Sequence, residues 1–287
     1  MGTIRWGIAV RLAVLLGLSV MLFCQLFRAG PVQAAAGAAA GAAEAAPPAG
    51  VRVVCAPLPL VSDGAGCESG MGAELARLAC GAAGLSCQFT QQPLVRALAM
   101  LRAGEADILI GSYWSEERAR YMRFSAEHFY VDPLYVFVRP EMARSPADRP
   151  AILRTGVPLG WAIGVPLDQR ADLHLESVRT VQLAFSLLRH HRLDAVVAHT
   201  RALAESRAVD GDRELPVPLG APISWRKSYM AFSLVFAESP QRQAFESAYD
   251  TVLGGPLYHQ ILERYAPVPG MQLDQAARTH AFALGGH

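Results

Sequence analysis

The sequence lacks a charge excess of either sign. Its 26 Lys and Arg residues face 25 Asp and Glu, for a formal net charge of +1, so nothing electrostatic points to nucleic acid. Lys227 is the only lysine, and Ala, Gly and Arg are abundant, a composition bias that says nothing of function. Ser-His-Asp, Walker-type and HExxH patterns are missing, which leaves the commonest hydrolytic and nucleotide-driven chemistries without a motif. Cysteine is scarce, with five residues and no CxxC pair among them, and such irregular spacing argues against zinc. No cofactor or metal is called for, and the partners expected are small molecules or proteins.

What is present begins at the N-terminus. MGTIRWGIAVR is positively charged, LAVLLGLSVMLFCQLF is apolar, and RAGPVQAA supplies small residues of the A-x-A kind. The apolar run is shorter than the roughly 18 to 20 residues of a spanning helix. It therefore predicts an export signal over 1–34, cleaved after Ala34, rather than an uncleaved anchor, and bulky Phe23 before Cys24 argues against lipid attachment. The Ala/Gly/Pro-rich stretch 35–50 is too poor in large apolar groups to form a core. Four cysteines remain in the mature chain, Cys55, Cys67, Cys80 and Cys87, and an oxidising compartment makes disulfides the default. A bridge between Cys80 and Cys87 would close a small loop and leave Cys55 to pair with Cys67.

From Val51 onward the periodicities alternate. VRVVCAPL, LSCQFTQ and DILIGSY read as strands, separated by GMGAELARLACGAAG and PLVRALAMLRAGEA, which read as helices. This βαβαβ order predicts a parallel sheet covered by helices. FYVDPLYVFVRPE is an extended run long enough to cross between lobes. LGWAIGVPLD as strand then loop, VRTVQLAFSLLRHHR as an amphipathic helix and LDAVVAH as a buried strand make a second α/β unit. SYMAFSLVFAES is another extended run, and the helices PQRQAFESAYDTVLG and GPLYHQILERYA follow it. The strand at 107–113 empties into small residues and then Arg118, which poses the functional question: an anion site, or an ordinary helix start with surface charges.

In order and spacing, GMGAELARLACGAAGLSCQF, QPLVRALAMLRAGEADILIG, SEERARYMRFSAEHFY, RLDAVVAH and GGPLYHQILERYAP together resemble the family 3 extracytoplasmic solute-binding proteins, the polar-amino-acid type of ABC-importer receptor. The resemblance runs from about Arg52 to Ala266. It implies a type II periplasmic-binding-protein fold of class α/β, with two lobes, each a mixed, mainly parallel sheet flanked by helices, joined by two crossover strands. Lobe one would comprise 51–131 and 230–266, lobe two 132–229, and 267–287 a tail. The CGAAGLSC spacing resembles a disulfide of some basic-amino-acid receptors, in support of Cys80–Cys87.

The resemblance makes Arg118 similar to the arginine that grips a ligand carboxylate, with Ser112 and Tyr113 in the same turn. A planar guanidinium suits that role. Departures concern the ligand. Where the family places an aspartate for the ligand ammonium, RLDAVVAH ends in His199, which is no anion. Asp168, Gln169 and Arg170 stand where a Gly-Thr-rich loop is usual, which makes Arg170 a candidate contact. The first loop, CAPLPLV, lacks an aromatic, which Tyr113 or Trp114 could supply. The expected ligand is a small carboxylate, not necessarily an α-amino acid.

The leading functional expectation is a periplasmic receptor serving an ABC permease in the inner membrane. A second is a periplasmic accessory of a quinoprotein alcohol dehydrogenase, which the VCAPL start resembles. A third, cyclohexadienyl-dehydratase-like catalysis, needs a positioned acid or base, and neither Lys227 nor Glu205 matches one. The chain is expected not to be an enzyme.

Overall fold

The computed structural model describes residues 50–265, apart from 59, 63–65, 165–166 and 204–214. The expected signal segment, all of the tether but Gly50, the tail and Glu205 lie outside the described residues. In chain order, β1 (Val51–Cys55), α1 (Met71–Ala82), β2 (Cys87–Gln91), α2 (Leu94–Ala103), β3 (Ile108–Tyr113) and α3 (Glu116–Ala119) open the first lobe. The long strand β4 (Met122–Val138) leaves it. A second lobe follows in α4 (Pro140–Arg144), β5 (Leu153–Pro158), β6 (Leu173–Val178), α5 (Val181–Arg189), β7 (Ala195–His199) and β8 (Val217–Pro218). Strand β9 (Ser224–Ser233) returns, and α6 (Leu234–Ala237), α7 (Pro240–Leu253) and α8 (Pro256–Tyr265) complete the first lobe.

The strands run in the order β2-β1-β3-β9-β4-β7-β5-β6, with β8 on β4. Three β-rich segments at each end, β2-β1-β3 and β7-β5-β6, are parallel within themselves. Between them β9 and β4 are antiparallel to each other and to their outer neighbours. The two lobe sheets are therefore continuous through the pair of crossover strands. β1 can be central because its β-branched run is apolar on both faces, with Val53 and Val54 buried. Above one face, α1, α7 and α8 cover Met71, Leu75, Phe232, Phe245 and Tyr249. Beneath the other, α2 covers Val54, Leu109 and Ala231. The second lobe is layered the same way, with Phe137, Phe185 and Leu188 on one face and Met142, Leu153 and Val197 on the other.

Local signals set the boundaries. Gly104 ends α2 in the left-handed region at φ 71°, where its N–H and that of Glu105 satisfy the last carbonyls of the helix. Arg52 meets Asp107 at 2.6 and 3.0 Å and clips β1 to the entry of β3. Two disulfides form, Cys55–Cys67 at the end of β1 and Cys80–Cys87 between α1 and β2.

Two expected elements differ. The described residues of LGWAIGVPLD form no strand: β5 lies upstream at Leu153–Pro158, and Leu159–Gly160 is the turn that ends it. Gly160 at φ 81° bends the chain there. The run SYMAFSLVFAES is extended only to Ser233, whose hydroxyl accepts the N–H of Phe236 and turns LVFA into α6. Apolar runs this short fit strand and helix alike, and the cap decides.

Replacing Cys55 and Cys67 together by alanine is expected to cost about 3 kcal/mol, as for a disulfide closing a loop of this size. Urea unfolding of the oxidised protein and the variant measures it.

Candidate functional site

The carboxyl ends of the parallel strands converge on one cavity, where open α/β sheets place ligands. Leu58 and Val61 come from the loop after β1, Gly111 and Tyr113 from the end of β3, Trp161 from the turn after β5 and His199 from the end of β7. The crossover strands add Asp132 from β4 and Ser228 from β9. Gly111 sits at a bulge in the β3–β9 pairing with φ 80°. A Cβ there would lie 2.2 Å from Val61 Cγ2, so only glycine lets the two loops close on each other.

Arg118 is 5% exposed and is seated by its own lobe. Ser115 caps α3 by accepting the Arg118 N–H at 3.2 Å, which turns the side chain back beneath β3. One guanidinium nitrogen, Nη1, donates to Ser112 Oγ at 3.1 Å and to the Tyr113 carbonyl at 2.8 Å. The other, Nη2, reaches across to the carbonyl of Gly160 in the second lobe. Burial lowers its pKa below the ordinary arginine value, yet an arginine stays charged in a protein. The solvated helix-start role falls instead to Arg120, whose pairing with Glu116 at 3.5 Å is exposed on both sides.

Trp161 stands opposite. Its ring is edge-on to Tyr113 at 6.5 Å between centroids and stacked on His199 at 5.1 Å and 11°. His199 is buried, and its Nδ1 accepts the N–H of Ala202 at 3.1 Å. That bond caps the helical turn 200–203 and leaves the proton of the neutral ring on Nε2. Burial lowers the His199 pKa. Across the cavity the Tyr113 hydroxyl donates to Asp132 Oδ2 at 2.8 Å, and burial together with the Asp132 charge raises the Tyr113 pKa well above its ordinary value.

The lobes also meet away from the cavity. Arg201, beside His199, donates to the carbonyl of Tyr265 in α8. Arg226 of β9 donates to the Trp114 carbonyl, and its guanidinium lies 5.7 Å from the centroid of the Tyr113 ring. The cavity left between these contacts measures about 20 Å³. A single water needs about 10–15 Å³ by this kind of measure, whereas ligand pockets run to roughly 300–1,000 Å³.

The structure thus brings Arg118, Ser112, Tyr113 and His199 together. Trp114 is 51% exposed and is not among the cavity-lining residues; its backbone carbonyl accepts from Arg226 away from the cavity. Arg170 is not among the cavity-lining residues: it is paired with Asp172 at 2.5 and 2.7 Å at the end of a 3-10 turn. Asp194 likewise belongs to the frame, where Arg154 holds its carboxyl below the usual range. Among the lining residues not anticipated, three are polar or aromatic. Asp132 and Ser228 lie inside strands read as crossovers, and Trp161 lay in a segment read as a strand. A lone acidic residue within an otherwise apolar crossover run, FYVDPLYVF, was the available signal.

A family model, bacterial extracellular solute-binding proteins, family 3, matches residues 49–265. The chain belongs to this family. Its fold is shared by solved structures of low sequence identity. One is the substrate-binding protein of an amino acid ABC transporter (17% identity, TM-score 0.60, 75% of this chain and 99% of that one). Another is the ligand-binding core of GluR0 from Nostoc punctiforme with L-glutamate (18%, 0.61, 75% and 98%). A third is a histidine kinase sensor domain similar to periplasmic binding proteins (20%, 0.58, 75% and 95%). No curated protein sequence matches the chain. Among the described residues no helix is long and apolar enough to cross a membrane.

Buried His199 and half-buried His128 make stability pH-dependent. The pKa values of His199 and His128 are both lowered, chiefly by burial, so the unfolded chain binds more protons just below its histidine pKa of about 6.5. Stability is then full above about pH 6.5 and falls as the pH drops towards the folded values. The slope is up to about 1.4 kcal/mol per pH unit for each histidine. Urea unfolding at pH 7.5 and 5.5 is expected to show this loss. His199→Asn, which keeps a capping acceptor, is expected to reduce it.

Proposed function

We propose that this solute-binding protein is a periplasmic receptor. It captures a small carboxylate-bearing ligand, an amino acid or related organic anion, between its lobes and delivers it to an ABC permease. The observation that carries this reading is the seating of Arg118. Its own lobe fixes Nη1 through Ser112 and the Tyr113 carbonyl, while among the described residues Nη2 is met by a carbonyl of the opposite lobe. When the lobes part, that carbonyl leaves and a buried, oriented guanidinium edge faces the cleft. A ligand carboxylate then offers a charged acceptor in place of a neutral one, a bond roughly twice as strong. Closure around it is a hinge motion whose closed state is selected by contacts from both lobes. Ser112 and Tyr113 orient the arginine, and His199, neutral and stacked on Trp161, offers Nε2–H as a donor.

The size of the cavity supports a second reading. With about 20 Å³ between them, the lobes are closed on their own side chains. Such self-closure suits a domain that works through a protein partner, such as an accessory of a periplasmic quinoprotein dehydrogenase. The similarity to a sensor domain is consistent with use of this fold for signalling rather than delivery.

Thermal unfolding of the mature protein against amino acids, dicarboxylates and aromatic acids separates the two, because a ligand that binds only the folded state raises the melting temperature. The receptor reading expects a raised melting temperature with one ligand class. Arg118→Ala, with its fold checked by circular dichroism, is expected to weaken that ligand by about 2–5 kcal/mol, as when one partner of a buried charged pair is lost. Unchanged affinity in the variant would remove Arg118 from the site, and a flat panel would favour the partner-binding role.

A further inference from the structure

Beside the cavity the second lobe meets the first through a short segment, 159–164, that follows β5. The carbonyl of Gly160 accepts from Arg118 Nη2, and the backbone there lies so near α2 that an added Cβ would touch Leu94 and Val95 at 3.4 Å. Gly164, at φ 83°, leaves room for the guanidinium of Arg226, which in turn donates to the Trp114 carbonyl. Between these two anchors stands Trp161. It is half-buried, in edge contact with Tyr113 of the first lobe and stacked on His199 of the second. Among the described residues, the partners of this segment across the cavity are the chain's own guanidinium groups and rings. The space left between the lobes, about 20 Å³, has room for about one water.

We propose that Trp161 is the cleft's own occupant, an autoinhibitory plug: the unliganded protein rests closed, with segment 159–164 as the latch and the indole in the space a solute would need. Parting the lobes would wet the rings of Trp161 and Tyr113. It would also break a bond that Arg118 makes in a buried setting, where hydrogen bonds are strongest. The closed state therefore has stabilising contacts of its own before any solute arrives. Whatever enters the cleft must first expel the ring, so its apparent affinity is reduced to the extent that open molecules are few. The plug holds under either reading of the function. In a receptor it sets a threshold that weak ligands do not pass, and in a partner-binding domain it keeps the closed surface present without solute.

The test is small-angle X-ray scattering on the mature protein, unfolded in urea, dialysed and refolded so that no co-purified solute remains. The curve is fitted with the lobes of this structure and with 35–49 and 266–287 as flexible chain. Trp161→Ala is the variant, and indole is the probe, because a cavity left by a deleted ring can take up a small aromatic molecule. The wild-type curve is expected to fit closed lobes. Trp161→Ala should show a larger radius of gyration that indole returns to the wild-type value, with indole binding at least about tenfold tighter to the variant than to the wild type by calorimetry. A wild-type curve that requires parted lobes would overturn the proposal. A variant with the wild-type radius would overturn it too, since the ring would then hold nothing. Trp161→Leu, which keeps apolar bulk without the ring stack, takes the variant's place if Trp161→Ala does not fold. No ligand of the receptor reading enters the experiment, so the plug and that reading fail separately.

Discussion

The pairing of β4 with β9 is the constraint on which the rest depends. These two strands connect the lobes by backbone hydrogen bonds, running from Met122↔Ser233 at one end to Leu134↔Ser224 at the other. A ladder satisfies its own polar groups, so the connection can be buried without cost in unpaired N–H and C=O. Register shifts around His128 show where the ladder is interrupted, and bulges of this kind bend and twist a strand pair. The same ladder fixes what faces the cavity: Asp132 and Ser228 arrive there because the strands that carry them pass between the lobes.

Around that hinge, three arginines join loops or lobes through backbone carbonyls. Arg118 takes Gly160, Arg201 takes Tyr265 and Arg226 takes Trp114. Bonds from a cation to a neutral carbonyl are strong enough to order a contact and weaker than bonds to a carboxylate. A contact of this kind can hold a closed arrangement and still yield to an anionic ligand. The ring stack of Trp161 on His199 fills the remaining space. Emptying it uncovers apolar surface unless a ligand replaces the contact.

Much of the fold was legible because buried parallel strands and amphipathic helices carry strong periodic signals. VRVVC, DILIG and DAVVAH are apolar on both faces, and helices such as Val181–Arg189 have a cap, Thr180, written just ahead of them. The missed elements had no such signal. LGWAIG is apolar and could be strand or turn by composition alone. Only the upstream pairing of Leu153–Pro158 with β6 and β7 shows that it is the turn.

By itself the sequence determined the α/β alternation, the two crossover runs and the arginine after the third strand, because each is a local pattern of size and polarity. Tertiary structure alone decided that Asp132, Trp161 and Ser228 border the same cavity as Arg118, that Arg118 reaches the Gly160 carbonyl, and that His199 stacks on Trp161. These are contacts between segments far apart in the chain. Their energy comes from burial and from hydrogen bonds across the lobes, and no local pattern encodes which partner a buried charge will find.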